Sequence, residues 1–211
     1  MADDPRQRYR ELLEHSLSVD DPTGWFDRLY AEAESGRAAV PWDRGAPHPL
    51  LALWAKRSRA GGGRALVVGC GPGDDAELVA ALGFDTIAFD VSAAAIRAAR
   101  ERYPSSKVDY RVADLFDPPA AWLQAFDLVV EVYTVQALPL EHHARTVEAI
   151  ASFTGGTLVV VAFARADDEP LTELPPWPLT RAEIDSFTRH GLAPVGVELV
   201  ESHWLAEFTR V

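Results

Sequence analysis

The sequence predicts an α/β fold in which helices cover both faces of a doubly wound, mostly parallel sheet of seven strands. The first observation is that short apolar runs alternate with helical patterns from residue 65 to residue 163, which indicates parallel strands joined by crossover helices. The second is that two further strands, separated only by a short turn, close the chain as an antiparallel pair. The third is a helical periodicity at the amino terminus, which predicts a helical cap.

The amino-terminal residues are predicted to form that cap. Apolar residues recur at helical spacing in three segments, and a loop rich in proline and glycine interrupts them. We expect a single domain over residues 1–211, with the cap over residues 1–60 and an α/β core over residues 64–211. The predicted helices of the cap cover residues 6–17, 25–35 and 50–59, and the loop covers residues 40–49.

The core is predicted from the change in hydrophobic period along the chain. Continuous apolar runs predict buried strands, and segments with a period of 3.6 residues predict helices, one of them opened by a capping box from Thr180 to Glu183. The predicted strands cover residues 65–68, 86–89, 108–112, 126–133, 158–163, 195–200 and 204–211. The predicted helices between them cover residues 74–82, 92–103, 118–124, 140–153 and 180–190.

Charge and composition exclude several classes of protein. The 20 basic and 32 acidic residues give a net charge of −12, which repels nucleic acid and anionic membranes. Cys70 is the single cysteine, so no intrachain disulfide forms, and the histidines lack the spacing of a metal site. The sequence has neither an apolar run of about 18 residues nor a secretory leader. We therefore expect a cytoplasmic monomer or homodimer that binds no metal, nucleic acid or membrane and acts on a small molecule.

A glycine-rich turn follows the first predicted strand. It contains Gly69, Cys70, Gly71 and Gly73, and it leads directly into the first helix of the core. Glycine allows the backbone to turn sharply and to approach a ligand closely. Because ligands of open parallel sheets bind beyond the carboxyl ends of the strands, the turn predicts a cofactor site there.

The charge next to this turn bears on which cofactor it holds. Gly71, Gly73 and Ala76 also fit the G-x-G-x-x-A pattern of dinucleotide sites, so a nicotinamide cofactor stays open. A dinucleotide places its pyrophosphate at the helix N-terminus, where this chain has Asp74 and Asp75. These carboxylates would repel phosphate and suit a cationic ligand. Their alternative role is to complement the helix dipole.

Acidic residues also follow the second and third strands. Asp90, followed by Val91, ends the second strand, and its carboxylate can accept hydrogen bonds from both hydroxyls of a ribose. Asp114 lies between Ala113 and Leu115 after the third strand. Its carboxylate can accept a hydrogen bond from the exocyclic amine of adenine, and the next backbone N–H can donate to a ring nitrogen.

The glycine turn and the acids after three successive strands resemble the class I S-adenosylmethionine (SAM)-dependent methyltransferases, whose fold is Rossmann-like. The resemblance covers residues 64–163 and the closing strand pair. It implies SAM as cofactor and S-adenosylhomocysteine as product, with the glycines at the cofactor turn, Asp90 at the ribose and Asp114 at the adenine. Members often carry an acid two residues before the first glycine, where this chain has Val67. Glu131, at the end of the fourth strand, is the candidate that holds the methionine amino group instead.

The aromatic residues of the cap carry a second resemblance. The helix containing Trp25 and Tyr30, followed by Trp42 in a W-D-x-G loop, is similar to the lead segment of the thiopurine and thiol/halide methyltransferase group. The similarity implies that these three side chains lie over the cofactor and shield it from water. The alternative for Trp25 and Tyr30 is packing in the core.

Three further residues are candidates for the side that binds the methyl acceptor. His48 in the cap loop and Tyr133 at the end of the fourth strand are the candidate bases, and both are also predicted to bind the acceptor. Trp177 lies in a proline-rich loop, residues 169–179, that we expect to form a stiff lid with the indole as an aromatic wall. The alternative for this loop is a surface segment stiffened by proline.

The sequence thus predicts a methyltransferase that acts on a small-molecule acceptor, either a thiol or an aromatic hydroxyl. Methyl transfer depends mainly on alignment, and a thiol with a pKa of about 8.5 ionises readily, whereas a phenol has more need of a base. Two alternatives stay open: a nicotinamide-dependent oxidoreductase and a non-catalytic SAM-binding module.

Overall fold

A seven-stranded sheet forms the centre of the computed structural model, which describes residues 5–19, 21–58, 61–172 and 174–211. The strand order is β3-β2-β1-β4-β5-β7-β6; β1 to β5 are parallel, and β7 is antiparallel to both of its neighbours. This topology confirms the predicted fold class. The strands are β1 (Arg64–Val68), β2 (Asp85–Asp90), β3 (Asp109–Val112), β4 (Phe126–Val132), β5 (Thr154–Phe163), β6 (Leu192–Val200) and β7 (His203–Arg210).

The helices lie close to their predicted positions. Within the described residues, no helix is both long and apolar enough to cross a membrane. The third predicted helix was expected to reach Arg59, which lies outside the described residues. The helices are α1 (Pro5–Ser18), α2 (Gly24–Glu34), α3 (Pro49–Arg57), α4 (Asp74–Ala81), α5 (Ala93–Arg102), α6 (Leu140–Phe153) and α7 (Arg181–Asp185).

Several predicted elements were wrong in type or extent; strand β6, for example, begins at Leu192, three residues before its predicted start. Residues 118–124 contain only a 3-10 turn at Ala120–Trp122, and the helix predicted at residues 180–190 becomes 3-10 at Ser186–His190. Strand β5 begins at Thr154, four residues before the apolar run that predicted it. The early part contains Gly155 and Gly156, where an added Cβ would collide with backbone atoms of residues 124 and 127. Such close packing of backbone has no hydrophobic pattern, so periodicity does not reveal it.

Two apolar layers cover the faces of the sheet. Successive side chains of a strand point to opposite faces, so Leu66 and Val68 of β1 join the cluster under α6, whereas Ala65 and Val67 join the cluster under α3, α4 and α5. Both sets are buried. The central parallel strands therefore need apolar residues at every position, which explains their continuous apolar runs.

The helical cap is fastened to the carboxyl edge of the sheet by a carboxylate. Asp27 of α2 accepts hydrogen bonds from the Ser92 hydroxyl and the Ala94 N–H, both at 2.9 Å. The Ser92 hydroxyl in turn accepts from the Ala95 N–H at 3.0 Å, as expected of an N-cap residue. The cap is thereby held against the turn between β2 and α5, next to Asp90.

We expect the Asp27→Ala substitution to lower the free energy of unfolding by about 1 kcal/mol, because two donors at the start of α5 lose their acceptor. The matched control is Glu34→Ala, on the same helix. Glu34 pairs with Arg97 of α5 at 3.6 Å with both side chains half exposed, and such pairs contribute less than about 0.5 kcal/mol. Urea unfolding followed by circular dichroism measures both. Equal effects would contradict a specific role for Asp27.

Candidate active site

A cleft of about 460 Å³ opens at the carboxyl edge of β1, β2 and β4, beneath the helical cap. Its volume lies in the range of small-molecule sites, and aromatic side chains form part of its walls. The parallel strands bring the predicted residues here because their carboxyl ends share one edge. Of the residues predicted from sequence, the cleft is lined by Trp25, Tyr30, Trp42, His48, Gly69, Cys70, Gly71, Asp75, Asp90, Val91, Ala113, Leu115 and Tyr133.

The glycine turn adopts backbone angles that favour glycine. Gly69, Gly71 and Gly73 have φ of +59°, +49° and +94°, in the left-handed region. A Cβ on Gly71 would lie 2.7 Å from the Tyr30 hydroxyl, and a Cβ on Gly69 would lie 2.6 Å from the Thr134 hydroxyl. Backbone conformation and close neighbours therefore both require the absence of a side chain here.

Asp90 joins the glycine turn to the end of β2. Its side chain is buried, with one oxygen accepting from the Gly71 N–H at 3.0 Å and the other from the Ser92 N–H at 2.9 Å. Burial raises the pKa of Asp90 above its usual value, and the two N–H donors oppose that shift. Each oxygen keeps a second lone pair, so the carboxylate can also accept from hydroxyls of a ligand in the cleft.

The two acids at the start of α4 have different partners. Asp74 accepts from Arg102 at 2.7 Å and from the Tyr103 hydroxyl at 2.6 Å, so a cation compensates its charge. Asp75 accepts from the His48 N–H at 2.7 Å and thereby ties the cap loop to the cofactor turn. Burial raises the pKa of Asp75 to about 6. Arg102 also donates to Asp43, which ties the W-D-x-G loop to α4 through the same guanidinium.

The charge of the cleft fits SAM better than a dinucleotide. Asp74, Asp75 and Asp90 line it, and among its described lining residues Arg44 is the one cation. Carboxylates occupy the N-terminal turn of α4, where a pyrophosphate would need free N–H groups. A sulfonium and an ammonium group are attracted to such a site, and Asp90 offers the acceptor that a ribose requires.

The aromatic residues of the cap form a connected cover over the cleft. The Trp42 indole N–H donates to the Tyr30 hydroxyl at 2.7 Å, and the Trp42 ring packs edge-on against Trp25 at 5.8 Å between centroids. The Tyr9 hydroxyl donates to the Pro175 carbonyl at 2.9 Å, which links α1 to the proline-rich loop. The cap loop and the proline-rich loop therefore shield the cleft from water together.

Four polar side chains meet at one end of the cleft. His48 Nε2 and His203 Nε2 each lie 2.8 Å from the Tyr133 hydroxyl, and Arg44 Nη2 lies 3.4 Å from the same oxygen. Burial, with the charge of Arg44, lowers the pKa of His48 to about 4, so its imidazole is neutral at pH 7. Burial raises the pKa of Tyr133 to about 12, which keeps the phenol protonated.

The sequence analysis named His48 and Tyr133 as candidates and did not name His203 or Arg44, which the structure places beside them. His203 begins β7, 70 positions from Tyr133, and it reaches the cleft edge because β7 pairs antiparallel to β5 with His203 opposite Phe163. The predicted antiparallel strand pair gave a partial indication of the position of His203. A strand that runs antiparallel to β5 begins at the carboxyl edge of the sheet, where the cleft lies. Arg44 lies in an irregular loop, where periodicity says nothing about side-chain direction.

Four predicted residues do not line the cleft. Gly73 shapes the turn from behind, and Asp114 is exposed, with one oxygen accepting from the Phe116 N–H at 2.8 Å. Glu131 is fully buried on the α6 face of β4. One carboxylate oxygen accepts from the Val135 N–H at 3.0 Å, and Oε2 has no hydrogen-bond partner. Burial raises the pKa of Glu131 to about 7.

Trp177, the fourth, does not form the aromatic wall that we expected. Its indole N–H donates to the Thr172 carbonyl at 3.0 Å, and its backbone N–H donates to the Gln136 carbonyl at 2.8 Å. These hydrogen bonds direct the ring towards its own loop and away from the cleft. Pro175 and Pro176 line the cleft in its place. The proline-rich loop therefore borders the site as predicted, through different side chains.

Comparison with known proteins identifies relatives of the chain. Residues 65–154 match the methyltransferase domain family. The chain is 26% identical over 206 residues to the probable thiol methyltransferase 2 of Arabidopsis thaliana, covering 92% of this chain and 82% of that protein. It is also 26% identical over 165 residues to thiocyanate methyltransferase 1 of the same plant, covering 76% and 70%.

Solved structures with the same fold include methyltransferases. Magnesium protoporphyrin IX methyltransferase from Synechocystis PCC 6803 with bound SAM has a TM-score of 0.62 at 15% identity, covering 99% of this chain and 98% of that one. A structure from work on the conversion of a disulfide bond into a thioacetal group during echinomycin biosynthesis has a TM-score of 0.70 at 22% identity, covering 87% and 92%. At these identities the similarity confirms the fold.

We expect Gly71→Ala to weaken the binding of S-adenosylhomocysteine by at least about tenfold, which corresponds to 1.4 kcal/mol. The added Cβ strains a left-handed residue and meets the Tyr30 hydroxyl at the cleft. The control is Gly36→Ala, because Gly36 also has a positive φ of +73° but has nothing within 4 Å of the added Cβ. This control carries the same kind of strain and leaves the affinity within about twofold. Calorimetric titration measures both; an equal loss of affinity would contradict the role of the turn.

Proposed function

We propose that the chain is a class I SAM-dependent methyltransferase that transfers the methyl group of SAM to the sulfur of a small-molecule thiol. The methyltransferase domain match and the methyltransferase relatives favour this function over a nicotinamide-dependent oxidoreductase or a non-catalytic SAM-binding module. The cofactor is SAM, and the product derived from it is S-adenosylhomocysteine. The acceptor is the part of the function that needs a separate argument.

The observation that carries the thiol assignment is the polar end of the cleft. Arg44 and the Tyr133 hydroxyl lie 3.4 Å apart beside aromatic walls that include Phe163. A cation and a hydroxyl stabilise a reacting atom that is anionic or becomes so. A thiol with a pKa of about 8.5 supplies such an atom at neutral pH more readily than a phenol with a pKa of about 10. The whole-chain similarity to a probable thiol methyltransferase supports the same acceptor.

The residues of the cofactor half of the cleft have distinct roles in this proposal. When bound, SAM supplies an electrophilic methyl group on a sulfonium. Asp90 accepts hydrogen bonds from the ribose hydroxyls, and the turn at Gly71 lets the backbone approach the cofactor. The adenine contacts Ala113 and Leu115, which line the cleft. Glu131 takes no part, since its carboxylate is buried behind the cleft.

The remaining residues align the acceptor and exclude water. Trp25, Tyr30 and Trp42 cover the cofactor, while Tyr133 and His48 position the acceptor atom. In well-oriented systems alignment alone lowers a barrier by about 7–11 kcal/mol. The chain therefore needs no strong base in direct contact with an acidic thiol.

A turnover assay that measures S-adenosylhomocysteine tests the proposal, with 2-mercaptoethanol, thiophenol and phenol as acceptors. We expect both thiols to be methylated and phenol to react at least about tenfold more slowly, because it ionises less readily. Calorimetry with SAM runs in parallel, with NAD as the control ligand. Methylation of phenol without methylation of thiols would replace the thiol with an aromatic hydroxyl. Failure to bind SAM would contradict the assignment of the cleft.

We expect Arg44→Gln to raise the KM for 2-mercaptoethanol by about fivefold, because one exposed charge contact contributes roughly 1 kcal/mol. The KM for SAM should change by less than about twofold, since the contacts of the cofactor lie at the other end of the cleft. The control is Arg28→Gln, which makes the same change in net charge on the exposed side of α2, outside the cleft. An equal rise in both KM values, or an effect of the control, would contradict the role of Arg44.

A further inference from the structure

A row of hydrogen-bonded side chains leads from the cleft towards the surface. His48 and Tyr133 line the cleft, and the Tyr133 hydroxyl lies 2.8 Å from both His48 Nε2 and His203 Nε2. His203 Nδ1 lies 3.3 Å from the hydroxyl of Ser202, which is exposed. His203 itself is partly exposed and does not line the cleft. The row therefore connects the acceptor end of the cleft with solvent.

The direction of the hydrogen bonds follows from a backbone contact. The Leu50 N–H donates to His48 Nδ1 at 3.2 Å, so this nitrogen is an acceptor and the ring proton of neutral His48 lies on Nε2. His48 then donates to the Tyr133 hydroxyl, and Tyr133 donates to His203 Nε2. The ring proton of His203 consequently lies on Nδ1, facing Ser202. The second lone pair of the Tyr133 oxygen faces Arg44 Nη2 at 3.4 Å, a long contact that a donor in the cleft can replace.

The middle of the row is held in an unusual backbone conformation. Tyr133 has φ of +68°, in the left-handed region that bulky residues rarely adopt. Its ring stacks on Phe163 at 5.0 Å with an interplanar angle of 5°, and Phe163 packs against His203 at 4.4 Å. Strained residues persist where the surroundings fix them, and such residues concentrate at functional sites. The stack fixes the Tyr133 hydroxyl between the two imidazoles.

We propose that His203 is a positioning residue that takes up the proton of the methyl acceptor through Tyr133 and releases it to solvent. This inference rests on the proposed function. As the bond between the acceptor sulfur and the methyl carbon forms and the methyl–sulfonium bond breaks, the S–H proton passes to the Tyr133 oxygen. The Tyr133 proton passes to His203 Nε2, and His203 releases its Nδ1 proton to water. Both sulfur atoms end as neutral thioethers, so the reaction leaves no additional charge in the cleft.

The relay specifies the class of acceptor more closely. A route by which the proton leaves the cleft raises the rate of methyl transfer only if the acceptor arrives protonated, as an alkyl thiol does at neutral pH. An acceptor that is already an anion, such as an acidic aromatic thiolate, delivers no proton. The proposal therefore assigns protonated thiols as the acceptors that depend on His203.

The groups around His203 keep it able to accept a proton. Burial and the charge of Arg44 lower the pKa of His203 below its usual value, while Glu201 opposes that shift. The other neighbours are neutral at pH 7: Tyr133, and His48 at 5.7 Å between ring centroids. Because only the neutral imidazole accepts a proton, turnover of an alkyl thiol should fall as pH drops through the lowered pKa of His203. That fall begins at a more acidic pH than for an ordinary histidine.

Variants at His203 test the relay with two acceptors. At pH 7, 2-mercaptoethanol is protonated and 4-nitrothiophenol is ionised. We expect His203→Gln to slow turnover of 2-mercaptoethanol by about 100-fold and to leave 4-nitrothiophenol within about twofold, since proton transfer is typically worth 10²- to 10⁴-fold. Imidazole in the buffer should restore part of the activity of His203→Ala. The control is His15→Gln, on the exposed side of α1, with neither rate changed. Equal slowing of both acceptors, or no slowing, would overturn the relay.

A spectroscopic measurement tests the same relay without turnover. In the ¹⁵N spectrum of the protein bound to S-adenosylhomocysteine, we expect His203 to carry its proton on Nδ1 and the Nε2 signal to shift in Tyr133→Phe. A proton on Nε2, or no response to Tyr133→Phe, would contradict the relay. If the protein methylates no thiol, the proposed function fails; if it methylates thiols and His203→Gln changes nothing, only the relay fails.

Discussion

The buried carboxylate of Asp90 is the contact on which the arrangement of the site depends. One oxygen holds the glycine turn through the Gly71 N–H, and the other holds the start of α5 through the Ser92 N–H. Ser92 and Ala94 in turn donate to Asp27, which fastens the helical cap. A carboxylate in a dry environment needs such donors, because an unsatisfied buried charge is costly. The same requirement thus ties together the cofactor turn, the sheet edge and the cover of the cleft.

In the proposed function, the two ends of the cleft have different tasks. The cofactor end contains Asp75 and Asp90, whose negative charge suits a cationic cofactor. The acceptor end contains Arg44 and the Tyr133 hydroxyl, which suit an atom that gains negative charge when it loses a proton. Methyl transfer brings a cationic donor together with a nucleophilic acceptor. Each end of the cleft carries the charge that attracts one of these two reactants. The aromatic cover adds exclusion of water.

Particular elements show how far sequence reasoning reached. The alternation of apolar runs and helices predicted the sheet, since burial on both faces leaves a strong pattern. The glycine turn and Asp90 were found because turn chemistry and strand-end position are local properties. Glu131 was assigned to the cofactor from its position at a strand end, yet it points to the α6 face and its carboxylate is buried there. Trp177 was assigned to a wall, yet its own loop captures its indole N–H.

The sequence by itself determined the fold class, the glycine turn and the strand-end carboxylate, because each depends on hydrophobic period or on residues adjacent along the chain. Only the tertiary structure decided which side chains meet at the acceptor end. His203 reaches Tyr133 because an antiparallel strand returns to the same sheet edge, and His48 reaches it because Asp75 holds the cap loop. Contacts between residues 70 or more positions apart depend on strand register and loop direction, which leave no periodic signal in the sequence.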